Sequence, residues 1–402
     1  MVAAPKLKRR QSVFAPSLAS DKVPNLLKAC VIYGPNASGK SNLLKALLIA
    51  DYFARRTPGA SELPLPVSPF KFDSELKDKP SEFEYHFISK GQRYQFNLNA
   101  TAERVTFERL ISYSNGASTL LYERRHTLEG DAYEFGDAVL QEAGKDLVIT
   151  WQKLTPPRFL FLSQAVANSS EKLKVLRAPL DWIRSAIFEI VGGMEPLTNI
   201  SRSMAKRNEG FAADISTFLR EVDVPVARLR FESDASTTKN ADFLSEEDGE
   251  REYSTALRNP PATVLTHTST LGEADIAFED ESEGTKNLFG FWLPWTTRAI
   301  HAQYSRCILV VDEMDASLHP KIVAALVKQH LSASNPSQLI FTTHDTHLMD
   351  SKLLRRDQIW ITERDATGAT QLRSIHDFEG REGEDIEKRY YEGRYRGLPQ
   401  LN

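Results

Sequence analysis

Four short clusters in this chain carry residue types suited to phosphate chemistry. Gly34-Pro35-Asn36-Ala37-Ser38-Gly39-Lys40-Ser41 matches the pattern G-x-x-x-x-G-K-[ST]. Glycines there let backbone N–H groups close on phosphate oxygens, and the start of a following helix adds positive potential. Lys40 is placed to reach β- and γ-phosphates, and Ser41 to set its hydroxyl on Mg2+. Gly34, Asn36, Ala37, Ser38, Gly39, Lys40, Ser41 and the adjoining Asn42 are therefore candidate phosphate ligands. Far downstream, the apolar run Cys307 to Val311 ends in Asp312-Glu313. Asp312 can hold Mg2+ from a strand end, and Glu313 can polarise an attacking water as general base. A second such run, Gln338 to Thr343, ends in His344, which can contact a γ-phosphate. His344 and His347 have no further ligand cluster with them, so they are not read as a metal site. Finally, Glu281-Ser282-Glu283-Gly284-Thr285-Lys286 precedes an apolar stretch. A Ser-x-Gly turn at a helix start is either a further anion site or a plain N-cap formed by Ser282 or Thr285.

Strands and helices must hold these clusters. Ala29 to Tyr33 reads as a buried strand entering the glycine-rich turn, and the leucines after Asn42 have helical spacing. Residues 57–80 are proline-rich and read as an irregular connection. From Glu82 to about Trp151 apolar and polar residues alternate, with Lys90-Gly91-Gln92 and Asn115-Gly116 as turns, which predicts an antiparallel meander. Arg158 to Leu162 reads as a short apolar strand. Helices are expected over about 171–191, with Leu180, Ile183, Ile187 and Ile190 on one face, and over about 209–221. Residues 233–262 are acidic and polar and read as a mobile surface excursion. An α/β pattern follows: helix 285–302, strand 307–311, helix 320–332, strand 338–342 and a strand near 358–363. No repeat or heptad run long enough for a coiled coil is present.

Composition narrows the class. The 402 residues are 26% charged and 41% hydrophobic, with a formal net charge of −4. That is an ordinary globular balance. It argues against a broadly basic nucleic-acid coat and leaves room for a local basic groove. No apolar run approaches the roughly 20 residues of a membrane span. The basic cluster Lys6, Lys8, Arg9 and Arg10 has no apolar core behind it, so it reads as a solvated start rather than a secretory signal. Cys30 and Cys307 each sit in an apolar strand-like run; buried, reduced thiols fit a cytoplasmic protein better than a disulfide does.

Together these clusters resemble the ABC-type ATPases, in the branch that includes the SMC and double-strand-break-repair ATPases. There a phosphate loop, a signature turn, an apolar strand ending Asp-Glu, a D-loop and a switch histidine follow in this order. Asp315-Ala316-Ser317-Leu318-His319-Pro320 stands at the D-loop and Ser282-Glu283-Gly284 at the signature. Together with the ending Arg389-Tyr390-Tyr391-Glu392-Gly393-Arg394-Tyr395, the motifs are similar to bacterial AAA-type ATP-binding proteins of anti-phage and abortive-infection operons. The resemblance covers nearly the whole chain and is weak across 90–270.

The resemblance implies an α/β fold: a P-loop NTPase head of ABC type, with a mixed, mostly parallel sheet, an antiparallel β meander and an inserted helical lobe. It divides the chain into a flexible segment 1–28, a first part of the head over 29–165, a helical lobe with a mobile acidic loop over 166–262, and the rest of the head over 263–402. It implies ATP and Mg2+, with Glu313, His344 and Lys40 catalytic, Ser41 and Asp312 on the metal, and Ser282 and Gly284 acting in trans on a second copy's nucleotide. Its partners would be a second copy of the chain, in an ATP-dependent head-to-tail dimer or higher assembly, and a separately encoded nuclease or toxin. Too little chain follows His344 for a fused TOPRIM domain. Nucleic acid could touch the Arg389–Arg396 cluster, although packing along the core is the favoured reading of it. No membrane role is expected.

Two departures stand out. The first strand with an Asn-Phe-Arg-Ser-type sequence, which helps form the adenine side in such proteins, is missing, so either the chain starts late or the adenine contact differs. No glutamine follows a strand in 65–75; Pro69-Phe70-Lys71-Phe72-Asp73 occupies that place, Gln164 is another candidate, and neither is assigned. A DNA-repair or chromosome-maintenance ATPase is the alternative function, disfavoured by the absent heptads and acidic balance. A transporter energy subunit ranks last, because the insertion before the signature is too large.

Overall fold

The computed structural model describes residues 1–402 except 6, 8–10, 20–21, 57–62, 171–172, 191–192, 232–258, 301–307, 334–336, 382 and 399–402, and it leaves out the side chains of 296–300. The basic cluster at 6–10, Cys307 and most of the acidic excursion lie outside the described residues. The chain forms two units, Met1–Phe188 with Arg355–Asn402, and Glu189–Leu354. These boundaries cut the expected helical lobe in two.

In the first unit, Ala29–Tyr33 is buried at every residue, as its unbroken apolar run requires. It pairs in parallel with Ile359–Arg364, which pairs antiparallel with Thr370–Ser374. Helix Lys40–Arg55 buries Leu44, Ile49, Ala50, Phe53 and Ala54. The meander comprises Ser81–Ser89, Gln92–Ala100, Val105–Ser114, Ala117–Thr127 and Gly130–Phe135, each antiparallel to the next. Its inward residues Phe87, Tyr94, Phe96 and Leu98 share one core with Phe53, Phe161, Leu176 and Leu180.

Three expectations change here. The meander ends at Phe135, and two helices, Asp137–Ala143 and Lys145–Leu154, follow. Val148 and Trp151 are buried three residues apart, which is helical spacing. The expected strand 158–162 is a turn running into helix Phe161–Ala167; an apolar run this short fits either element, and the buried environment decides. The helix expected over 171–191 is Lys174–Ser185, and Ile187–Ile190 is a strand.

Several described residues near the start of the chain are held by pairing. Val13–Phe14 pairs antiparallel with Leu26–Leu27, and Val2 bridges Leu26. The Ala4 amide donates to Asp357 Oδ2 at 2.7 Å, and Arg355 donates to the Ala4 carbonyl at 3.0 Å. Cys30 is a buried free thiol. Burial pushes its pKa up to about 12, which keeps it protonated and unreactive.

The second unit holds helices Glu195–Arg207, Glu209–Glu221, Glu283–Ile300 and Pro320–Ser332. Strands Ile308–Val311 and Gln338–Thr342 pair in parallel. A three-stranded antiparallel sheet runs Val226–Phe231, Thr263–Ser269, Gly272–Ala277. Helices Glu195–Arg207 and Glu283–Ile300 approach closely at Gly290, where a Cβ would come within 2.7 Å of Thr198 Oγ1. Among the described residues, no helix is long and apolar enough to cross a membrane.

Candidate functional site

The first group of site residues lies on the loop between Ala29–Tyr33 and Lys40–Arg55. Gly39 has φ +98° and Ala37 φ +61°, so the loop turns through left-handed conformations. Two threonines from the neighbouring strands brace it. Thr362 Oγ1 lies 3.0 Å from the Tyr33 carbonyl, to which it donates, and 2.6 Å from Ser38 Oγ. Thr370 Oγ1 donates to the Ser38 carbonyl at 2.9 Å. A Cβ on Gly34 would collide with Thr362, and one on Gly39 with Thr370. The glycines are thus required by close approach as well as by φ.

This loop fits a phosphate chain. The helix at Lys40 begins with no side-chain cap and no acidic residue in its first turn. Its leading N–H groups therefore lack the usual side-chain acceptor, and nothing there repels an anion. Lys40 Nζ folds back over the loop, donating to the carbonyls of Gly34 at 2.8 Å and Pro35 at 3.2 Å. Asn36, Ala37 and Asn42 are exposed, while Ser38 and Lys40 are buried.

In the second unit, Asp312 and Glu313 follow strand Ile308–Val311. The Asp312 amide donates to the Ile190 carbonyl at 3.0 Å. Thr342, ending the adjacent strand, donates its hydroxyl to Asp312 Oδ1 at 2.6 Å and accepts the Glu313 amide at 2.7 Å. Glu313 takes φ +52°, which turns the chain sharply after the strand, and its side chain is exposed. His344 is also exposed, and its amide donates to both carboxylate oxygens of Asp315 at 3.3 and 3.1 Å. The structure thus links Asp312 and Glu313 through Thr342, and His344 to Asp315.

The Ser282 turn lies in the same unit. Ser282 Oγ accepts the Thr285 amide at 3.1 Å, so it acts as an N-cap for helix Glu283–Ile300. Ser282 is exposed, and the cap does not bury it. Gly284 sits against the D-loop: its Cβ would come within 2.7 Å of the Ser317 carbonyl. Asn287 donates to the Ala316 carbonyl at 3.1 Å. His267 Nε2 lies 2.5 Å from Glu281 Oε1, and Arg202 donates to Glu279 Oε1 at 2.8 Å, so the turn's approach is tethered from two sides.

Other singled-out residues sit elsewhere. Gln164 is on helix Phe161–Ala167 and donates to the Leu154 carbonyl at 2.8 Å. In the Arg/Tyr ending, Tyr395 is buried, Tyr390 donates to the Gly397 carbonyl at 2.9 Å, and Arg389 pairs with Glu384 at 2.9 Å. That segment packs along the core. The bracing threonines Thr342, Thr362 and Thr370 carried no sequence signal, because a lone threonine in a strand is ordinary.

No curated protein matches the sequence. Among solved structures, an SMC head bound to the C-winged helix domain of ScpA aligns with TM-score 0.44 and 15% identity, covering 89% of this chain and 94% of that one. The SMC head domain from Thermotoga maritima aligns with TM-score 0.39 and 14% identity, covering 90% and 97%. A family model described as "AAA domain, putative AbiEii toxin, Type IV TA system" matches residues 30–350. The match spans most of the chain and includes the phosphate loop, Asp312-Glu313 and His344, so the chain belongs to that AAA-domain family.

Proposed function

We propose that this protein binds and hydrolyses ATP and uses the cycle to control a separately encoded nuclease or toxin in a bacterial phage-defence system. The observation that carries the nucleotide reading is the uncapped start of helix Lys40–Arg55 with Lys40 folded over its loop. The backbone of Gly34, Asn36, Ala37, Ser38 and Gly39 cradles the phosphates, with Ser41 and Asn42 opening the helix. Lys40 holds charge on the β- and γ-phosphate oxygens. Ser41 and Asp312 would hold Mg2+, which supplies neutralisation of charge on those oxygens. Glu313 accepts the proton of the attacking water, and His344 contacts the γ-phosphate. Ser282 and Gly284 of a second copy complete the assembly head to tail.

The defence role is supported by the family's description, which joins an AAA domain to a toxin–antitoxin system. The reaction is tested by titrating purified protein with MgATP. Lys40→Ala should abolish binding. Glu313→Gln should keep binding, stop turnover and retain a dimer mass in ATP. Normal turnover by Glu313→Gln removes that residue as the base. For the cellular role, co-expression with the neighbouring gene should protect against phage, and Lys40→Ala should remove the protection; equal protection by both sinks the regulatory reading.

A further inference from the structure

The irregular segment after helix Lys40–Arg55 places two phenylalanines, Phe70 and Phe72, with ring centroids 5.7 Å apart. Phe72 is 71% exposed. A single exposed ring is unremarkable by itself. This one, however, lies beside the guanidinium of Arg364, whose central carbon is 5.4 Å from the ring centroid. Arg364 ends the strand Ile359–Arg364, and the turn after it is held rigid. The Asp365 carboxylate accepts the Thr367 amide at 2.9 Å, the Thr367 hydroxyl at 2.6 Å, the Ala369 amide at 3.0 Å and Gln371 Nε2 at 3.0 Å. Gly368, in the middle of this turn, lies against Phe72: a Cβ there would be 3.2 Å from the ring. Two residues further on, Thr370 donates to the Ser38 carbonyl of the phosphate loop. Two residues span at most about 7 Å of extended chain. An exposed ring, a cation and the phosphate loop are therefore joined through one pre-ordered turn, within a nucleoside's reach of each other.

We infer that Phe72 and Arg364 form the platform on which the purine base of the bound nucleoside triphosphate stacks. The inference rests on the nucleotide reading above and adds to it the residues that hold the base. Aromatic and guanidinium planes both stack on bases, and the pre-ordered turn lowers the entropy lost on binding.

The test compares MgATP with inorganic tripolyphosphate, which has the phosphates and no base. Affinities are measured by calorimetry on wild type, Lys40→Ala, Phe72→Ala, Phe72→Tyr and Arg364→Ala, with thermal melting as a check on folding. Phe72→Ala should weaken MgATP roughly tenfold to a hundredfold, the range expected for loss of one base–ring stack, and leave tripolyphosphate unchanged. Arg364→Ala should act in the same direction, and Phe72→Tyr should restore binding. Unchanged MgATP affinity in Phe72→Ala, or an equal loss for both ligands, overturns the platform. If Lys40→Ala still binds both ligands as wild type does, the nucleotide reading itself fails.

Discussion

Thr342 and Asp312 share a 2.6 Å hydrogen bond in which the threonine hydroxyl donates to the carboxylate, and the same hydroxyl accepts the amide of Glu313 at 2.7 Å. One side chain thus fixes both acidic residues at the end of strand Ile308–Val311. Under the proposed mechanism Thr342 would touch neither phosphate nor water; it would position Asp312 and Glu313, which are assigned those contacts. Thr342→Val keeps the shape and removes the hydroxyl. A hydrogen bond to a charged group is worth about 1.5–3 kcal/mol, which corresponds to roughly a tenfold to hundredfold loss in kcat. KM for ATP should hold, and Thr342→Ser should recover most of the rate. A Thr342→Val enzyme with wild-type kcat would remove the threonine from the mechanism.

Gly39 tests the phosphate loop from the backbone side. It sits at φ +98° with Thr370 packed against it. Alanine there incurs a left-handed penalty of about 1–2 kcal/mol and a collision with the Thr370 side chain. Gly39→Ala should fold, because the element cores do not depend on this position, yet lose ATP affinity. Adding Thr370→Ala removes the collision and should return part of it. Calorimetric titration of the single and double variants reads both steps, and no difference between them would show that the clash does not matter.

Gly284 tests the signature turn. Its close approach to the Ser317 carbonyl leaves no room for a methyl group. Ser317 itself has φ +59°, so the D-loop cannot easily yield. Gly284→Ala should displace one against the other. If Ser282 and Gly284 act on a second copy, ATP-dependent mass increase in light scattering should disappear while nucleotide binding by the monomer stays. Loss of monomer binding instead would place the turn's role within its own chain.

The phosphate loop and Asp312-Glu313 were legible because their signal is local: fixed spacing, glycines, and apolar runs on either side. Helix Pro320–Ser332 was legible for the same reason, with Pro320 at its first turn. What holds the loop in shape was not. Ser38 meets Thr362 across 324 positions and Thr370 across 332, and no pattern in the chain marks such pairs. Ala4 likewise meets Asp357 across 353 positions, a pairing that no local pattern marks. Arg158 to Leu162 departs from the expected strand for a different reason. Its apolar run is too short to carry a period, and Glu108 decides the matter by accepting the amides of Phe161 at 2.8 Å and Leu162 at 3.1 Å, where helix Phe161–Ala167 starts.

That same buried cluster gives a pH-dependent prediction. Arg124 is only 1% exposed and donates to the Phe159 carbonyl at 2.7 Å and to Asp131 Oδ2 at 2.7 and 3.0 Å. Burial alone would raise the Asp131 pKa, but hydrogen bonds from Arg124 and His126 and the charges of Arg124 and Arg104 outweigh it and hold the carboxyl below its usual 3.8. A depressed folded-state value means the unfolded chain binds the proton more readily. The stability Asp131 contributes is therefore complete above the unfolded value and is lost as pH falls through the lower folded one. Asp131→Asn leaves Arg124 buried with less compensation, at a cost of about 2–3 kcal/mol near neutral pH. In urea unfolding followed by tryptophan fluorescence, the gap between wild type and Asp131→Asn should stay constant from pH 7 to about 5 and close only below the ordinary carboxylate range. A gap that instead widened on acidification would reverse the sign of the linkage and show that the fold raises rather than lowers the Asp131 pKa.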